Sequence, residues 1–160
     1  MSLYSLGIVA HPSRRDMAET LAAQVAADLT VYDNNHQGER WCHTETLRQL
    51  ATLDSDWCVW LEDDAQPIED FRASLHRALT STRPAIVSLY LGTGNWAGVP
   101  RSQAATITEL IETADRTDAH WITTNALYHA VGICVPTAWA PSLITHLEQA
   151  ARPTDRTITA

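Results

Sequence analysis

Four short and almost continuously apolar runs, at residues 3–10, 29–32, 57–61 and 85–91, alternate with segments whose apolar residues recur at helical spacing. This alternation restricts the fold more than any other feature of the chain. A strand that is apolar on both sides has to be covered on both sides, and successive parallel strands need a helical crossover. The expected architecture is therefore α/β, with a mostly parallel central sheet and helices on both faces. The first run ends at His11-Pro12-Ser13, and Ser13 is placed to cap a helix carrying Asp16, Leu21 and Val25. The second stops at Asp33-Asn34-Asn35, whose side chains favour a turn by bonding to nearby backbone. Helices are expected over 39–53, 68–79 and 104–114, an exposed loop over 92–98, and one or two strands within 121–135. Pro136 opens a last helix through Trp139, Leu143, Ile144 and Leu147, since proline's missing N–H is no loss at a helix start. No internal repeat interrupts this order.

Length and charge narrow the function. At 160 residues the chain supports one closed core, so residues 1–160 are expected to form a single domain. With 19 acidic residues against 11 basic ones, the formal charge of -8 makes a nucleic-acid backbone a poor partner. All 11 basic residues are arginine, so phosphate must be met by guanidinium groups, backbone amides or a metal ion. Cys42, Cys58 and Cys134 are odd in number and share no CxxC spacing, which supports neither a disulfide scaffold nor a zinc knuckle. No apolar run reaches the roughly 18–20 residues of a bilayer span, and the first residues lack the layout of a signal peptide. A protein of the reducing cytoplasm without a transmembrane segment is expected.

Chemistry concentrates at Glu62-Asp63-Asp64, directly after the apolar run Trp57-Cys58-Val59-Trp60-Leu61. In extended backbone Glu62 and Asp64 point to one side and Asp63 to the other. Two carboxylates about 4 Å apart repel by about 1 kcal/mol in water and about 4 kcal/mol at an effective dielectric near 20, so three at a strand end invite a cation. Hard oxygen ligands select Mg²⁺ or Mn²⁺, which share their coordination with the phosphate oxygens of a substrate. The plainer alternative is a solvated turn whose acids favour the start of the next helix. Position speaks for a site, because ligands of such sheets gather at the carboxyl ends of the strands and Asp33 ends another one.

The segment LEDDAQPIEDF resembles the metal-binding segment of GT-A-type glycosyltransferases that use nucleotide sugars, in particular the lipopolysaccharide-type glycosyltransferase family 25. RWCHTETLRQL is similar to that family's segment of a cysteine and a histidine before a helix, with Cys42 and His43 at the matching positions. LYHAVGICVPTAWAPSLITHL and ARPTDRTI resemble its later elements and match at His129 and Asp155. The resemblance implies a Rossmann-like GT-A domain that moves a sugar from a nucleotide-diphosphate donor to a hydroxyl of a glycan, lipid-linked or protein acceptor. It implies Mn²⁺ or Mg²⁺ at Asp64 with Glu62, and Glu62 or Asp63 against the sugar or ribose. Asp33 would then hold ribose or base hydroxyls, Arg14 the diphosphate oxygens, and His43 would belong to the donor site. An inverting transfer also needs a base, for which Asp155 and His129 are the candidates. Trp57 and Trp60 read as core, whereas Trp96 in the loop is the better candidate to contact an acceptor, an interface residue being the alternative.

A non-catalytic relative that binds nucleotide sugar, or serves as an interaction module, is the alternative of another class. A metal-dependent phosphohydrolase would use the same carboxylates, yet no nucleophilic aspartate in a DxDxT-like strand end supports it. A glycosidase needs its two carboxyls set across a cleft and not adjacent in sequence.

Overall fold

A computed structural model of the chain describes residues 2–91, 101–124, 127 and 129–150. The order of elements is β1 (Ser2–Ala10), α1 (Arg15–Val25), β2 (Leu29–Tyr32), α2 (Glu39–Leu50), β3 (Ser55–Glu62), α3 (Phe71–Ser81), β4 (Val87–Ser88), α4 (Arg101–Thr117), β5 (Gly132–Pro136) and α5 (Ala140–Gln149). Short 3-10 turns at Pro12–Arg14 and Thr137–Trp139 lead into α1 and α5.

The strands form one sheet in the order β2-β1-β3-β5-β4. β1 pairs in parallel with β2 and with β3, as the crossover pattern requires, with Gly7 opposite both Leu29 and Trp60. β5 pairs antiparallel with both β3 and β4, so the sheet is mixed and its ladders are evenly divided. The mostly parallel sheet expected from sequence therefore holds only for β1, β2 and β3. The reason is that all five residues of β5 are buried. An antiparallel strand covered on both sides reads as the same unbroken apolar run as a parallel one.

Both faces are covered. Tyr4, Leu6 and Ile8 of β1 pack with Trp57 and Val59 of β3 against Leu21 and Val25 of α1 and Leu75 and Leu79 of α3. On the other side Val9, Cys58, Trp60 and Val135 pack against Leu47 and Leu50 of α2 and Ala140 of α5. The period-2 alternation of strand side chains separates the two cores. Gly7 is required where α2 crosses β1: an added Cβ would lie 2.9 Å from Thr46 Cγ2 and 3.0 Å from Leu29 Cδ1.

Several boundaries differ from the sequence reading. Ser13 does not cap α1. It lies in the 3-10 turn, whose cap is His11, accepting from the Ser13 N–H, and the Ser13 hydroxyl pairs with the same ring nitrogen at 2.7 Å. The strand expected over 85–91 is only two residues long, and Pro136 closes β5 while α5 starts at Ala140.

A candidate acidic site at the carboxyl ends of the strands

β1 lies between β2 and β3, so the crossover through α1 leads to one side of it and the crossover through α2 leads back to the other. The direction of winding reverses at the carboxyl ends of β1 and β3, which is where open α/β sheets bind ligands. His11 and Arg14 follow β1 at this point, and Glu62, Asp63 and Asp64 close β3.

The three acids part company. Asp63 is buried, its side chain 1% exposed. Its Oδ2 accepts the His11 N–H at 2.7 Å and the Arg14 Nε–H at 3.1 Å, while Oδ1 lies 3.0 Å from Arg14 Nη2. Asp64 is half-exposed and accepts from Arg14 Nη1 at 3.4 Å. One guanidinium thus spans two carboxylates and relieves much of the repulsion that pointed to a cation. Glu62 turns the other way, toward α2, with its Oε1 3.5 Å from His43 Nε2. The expected side-by-side arrangement of Glu62 and Asp64 does not form. β3 ends at Glu62, and the Ala65 N–H bonds back to the Glu62 carbonyl at 3.0 Å, so the strand alternation is lost in a turn before Asp64 is reached.

Asp33 is buried at the end of β2. Its two oxygens accept the Gln37 and Gly38 N–H groups at 2.7 and 2.6 Å, closing the loop onto the start of α2. Desolvation works to raise the Asp33 pKa, but these amide bonds outweigh it and hold the carboxyl below its usual range. Gly38 itself has φ +96°, a left-handed conformation that favours glycine.

His43 is fully buried on α2. Its Nδ1 accepts the Trp60 indole N–H at 2.9 Å, and its Nε2 faces Glu39 and Glu62, each 3.5 Å away. Burial disfavours the imidazolium, but the two carboxylates overcome it and raise the His43 pKa. The same 3.5 Å polar contact from His43 Nε2 holds Glu39 below its ordinary value. Glu39, His43 and Glu62 place three potential ligand atoms within 4.8 Å of one another. Trp60 belongs to the core, as expected, and also supplies a polar contact. Sequence reasoning passed over Glu39, although its i,i+4 spacing from His43 on one helix was a usable signal.

A cavity of about 720 Å³ opens beside this edge, between α3 and the ends of β3 and β5. Leu61, Phe71, Leu75 and Leu89 form apolar wall, and Asp64 stands on the lining. His129 is half-buried and packs edge-on against Tyr90, another lining residue, with ring centroids 5.3 Å apart. Asp155 and Trp96 lie outside the described residues. The three cysteines are buried thiols, and burial pushes Cys42 up to about 11, so none is disposed to act as a nucleophile. Among the described residues no helix is long and apolar enough to cross a membrane.

Fold and site together define an α/β domain with an arginine-braced acidic edge at the reversal point of its sheet. Comparison of the chain with protein-family models, with curated proteins and with solved structures gave no match in any of the three.

Proposed function

We propose that this protein is a glycosyltransferase of GT-A-like architecture, which binds a nucleotide-diphosphate sugar at the acidic edge and passes the sugar to an acceptor hydroxyl. The observation that carries the reading is the position of Asp64: a half-exposed carboxylate beside Arg14, at the winding reversal between β1 and β3, on the lining of the large cavity. The motif resemblance of residues 61–71 supports the same assignment.

The donor set fits a hard divalent ion in a limited way. Asp64 offers one accessible carboxylate, and Mg²⁺ or Mn²⁺ binds through one or two such groups when substrate phosphates complete its shell. Glu62, held toward His43, does not share that ion in this arrangement. Bound there, the ion would supply Lewis-acid stabilisation of the departing diphosphate. Arg14 is 46% exposed and already spans two carboxylates, so its Nη1 is placed to exchange Asp64 for a phosphate oxygen. Asp63 holds the Arg14 base in place through that exchange. The cavity beyond Asp64 receives the acceptor, with His129 at its Tyr90 wall as the candidate base within the described residues.

Nucleotide release from UDP- and GDP-sugars in the presence of Mn²⁺ tests the reading. Asp64→Ala is expected to lower turnover at least a hundredfold while circular dichroism and melting temperature stay near wild type. Tight binding of a nucleotide sugar without turnover would mark a non-catalytic binding module instead. Absence of both binding and release with every donor would overturn the assignment.

A further inference from the structure

The group formed by Glu39, His43 and Glu62 lies on the α2 side of the sheet, opposite the Arg14 cluster, and has the composition of a metal centre. Its proton pattern argues otherwise. The Trp60 indole can only donate, so its 2.9 Å bond to His43 Nδ1 requires a bare nitrogen there. The ring making this bond is therefore neutral and carries its proton on Nε2. A metal needs the opposite arrangement, a lone pair on Nε2 and an N–H on Nδ1 facing an acceptor.

What remains is a buried N–H donor beside two carboxylate acceptors. Nε2 is fully buried and has no acceptor in hydrogen-bond geometry, since both carboxylates stop at 3.5 Å. A buried donor left in this state is costly, which makes it a place where a ligand atom gains. Phosphate is repelled by the two acids, and an ammonium group would meet the Nε2–H head-on. A hydroxyl suits all three groups, because its oxygen accepts from Nε2–H while its proton goes to a carboxylate. Glu39 is 58% exposed and Glu62 25%, so displacement of the Glu39 side chain opens the way from solvent.

We propose that Glu39, His43 and Glu62 form a subsite for one hydroxyl of a sugar or polyol, in which His43 donates from Nε2 and Glu62 or Glu39 accepts. That the hydroxyl belongs to the transferred sugar, the ribose or the acceptor rests on the transferase reading; the donor and acceptor pattern does not.

The test uses the full chain labelled with ¹⁵N-histidine. At neutral pH the His43 signals should show a protonated Nε2, unchanged by an equimolar amount of Zn²⁺. They should shift on addition either of UDP- and GDP-sugars or of methyl glycosides of glucose, galactose and mannose. Glu62→Gln, whose amide oxygen still accepts but carries no charge, should weaken the responding ligand by about three- to tenfold. Trp60→Phe, which frees Nδ1 to take the proton, should gain Zn²⁺ binding at Nε2. Zn²⁺ binding at His43 in the wild-type chain would overturn the subsite, as would a His43 signal unmoved by both ligand sets. Nucleotide-sugar binding without a His43 response would remove the subsite and leave the transferase reading standing. A response to methyl glycosides with no nucleotide-sugar binding would do the reverse.

Discussion

Asp63 and Asp64 are adjacent carboxylates with opposite roles. Asp63 is held by two donors and a second guanidinium contact in a nearly dry setting, whereas the Asp64 side chain is 50% exposed and meets Arg14 only at 3.4 Å. An exposed pair of that kind contributes little to stability, because water and salt screen it. Removing Asp63 leaves the His11 N–H and the Arg14 base without their acceptor at the junction of β1 and β3. Hydrogen bonds to charged groups are worth about 1.5–3 kcal/mol each. Because Arg14 is 46% exposed and can recover water, Asp63→Ala is expected to cost about 2–3 kcal/mol in total. Asp64→Ala should change stability by less than about 0.5 kcal/mol. Urea denaturation of the two variants beside wild type checks both figures, and similar losses at both positions would contradict the division of roles.

At the scale of elements, α2 decides most of what the site can do. It carries His43 and Glu39, receives the Asp33 latch at its start, and lies close enough to β1 for Gly7 to be the residue there. Gly7→Ala puts a methyl 2.9 Å from Thr46 Cγ2 and 3.3 Å from Leu50 Cδ1, so α2 has to move outward. Overpacking of this kind costs about 1–3 kcal/mol, which for a chain of this size lowers the melting temperature by roughly 3–10 °C. A melting temperature equal to wild type would show that the helix has slack. The elements themselves were largely legible in the sequence, because strands β1, β2 and β3 are apolar runs and α1 and α3 have amphipathic spacing. The position of the acidic triplet after β3 was legible for the same reason. Strand direction was not, since burial on both sides makes β5 indistinguishable from a parallel strand, and nothing in the apolar pattern of residues 85–91 limits β4 to two residues. The pairing of Glu62 with His43 escaped because it joins residues 19 positions apart across an interface that exists only once α2 lies on the sheet. The turn that sends Asp64 toward Arg14 is set by one backbone bond at Ala65, which side-chain alternation does not report.

For the molecule as a whole, the two cores lie back to back on one sheet, and two buried carboxylates, Asp33 and Asp63, tie loops to the carboxyl edge through backbone N–H groups. Acid should therefore loosen the loop that Asp33 closes onto α2. Asp33 shows the sign. Its pKa is lowered in the folded chain, so the unfolded chain takes up the proton first as pH falls. The stabilisation from Asp33 is complete above the ordinary carboxylate pKa of about 3.9, and it is lost as pH drops through the lower folded value. Asp33→Asn removes this dependence because an amide does not titrate, and it weakens the latch because an amide cannot supply two acceptor oxygens to the Gln37 and Gly38 N–H groups. The variant is expected to melt below wild type at neutral pH, and the difference should shrink steadily as the solution is acidified past the carboxylate range. Amide exchange at Gln37 and Gly38 should quicken over the same acid range relative to amides in β1, after correction for the intrinsic rate. A melting difference that stays constant with pH would mean that the Asp33 latch does not carry the acid response, and the loop into α2 would have to be held by other contacts.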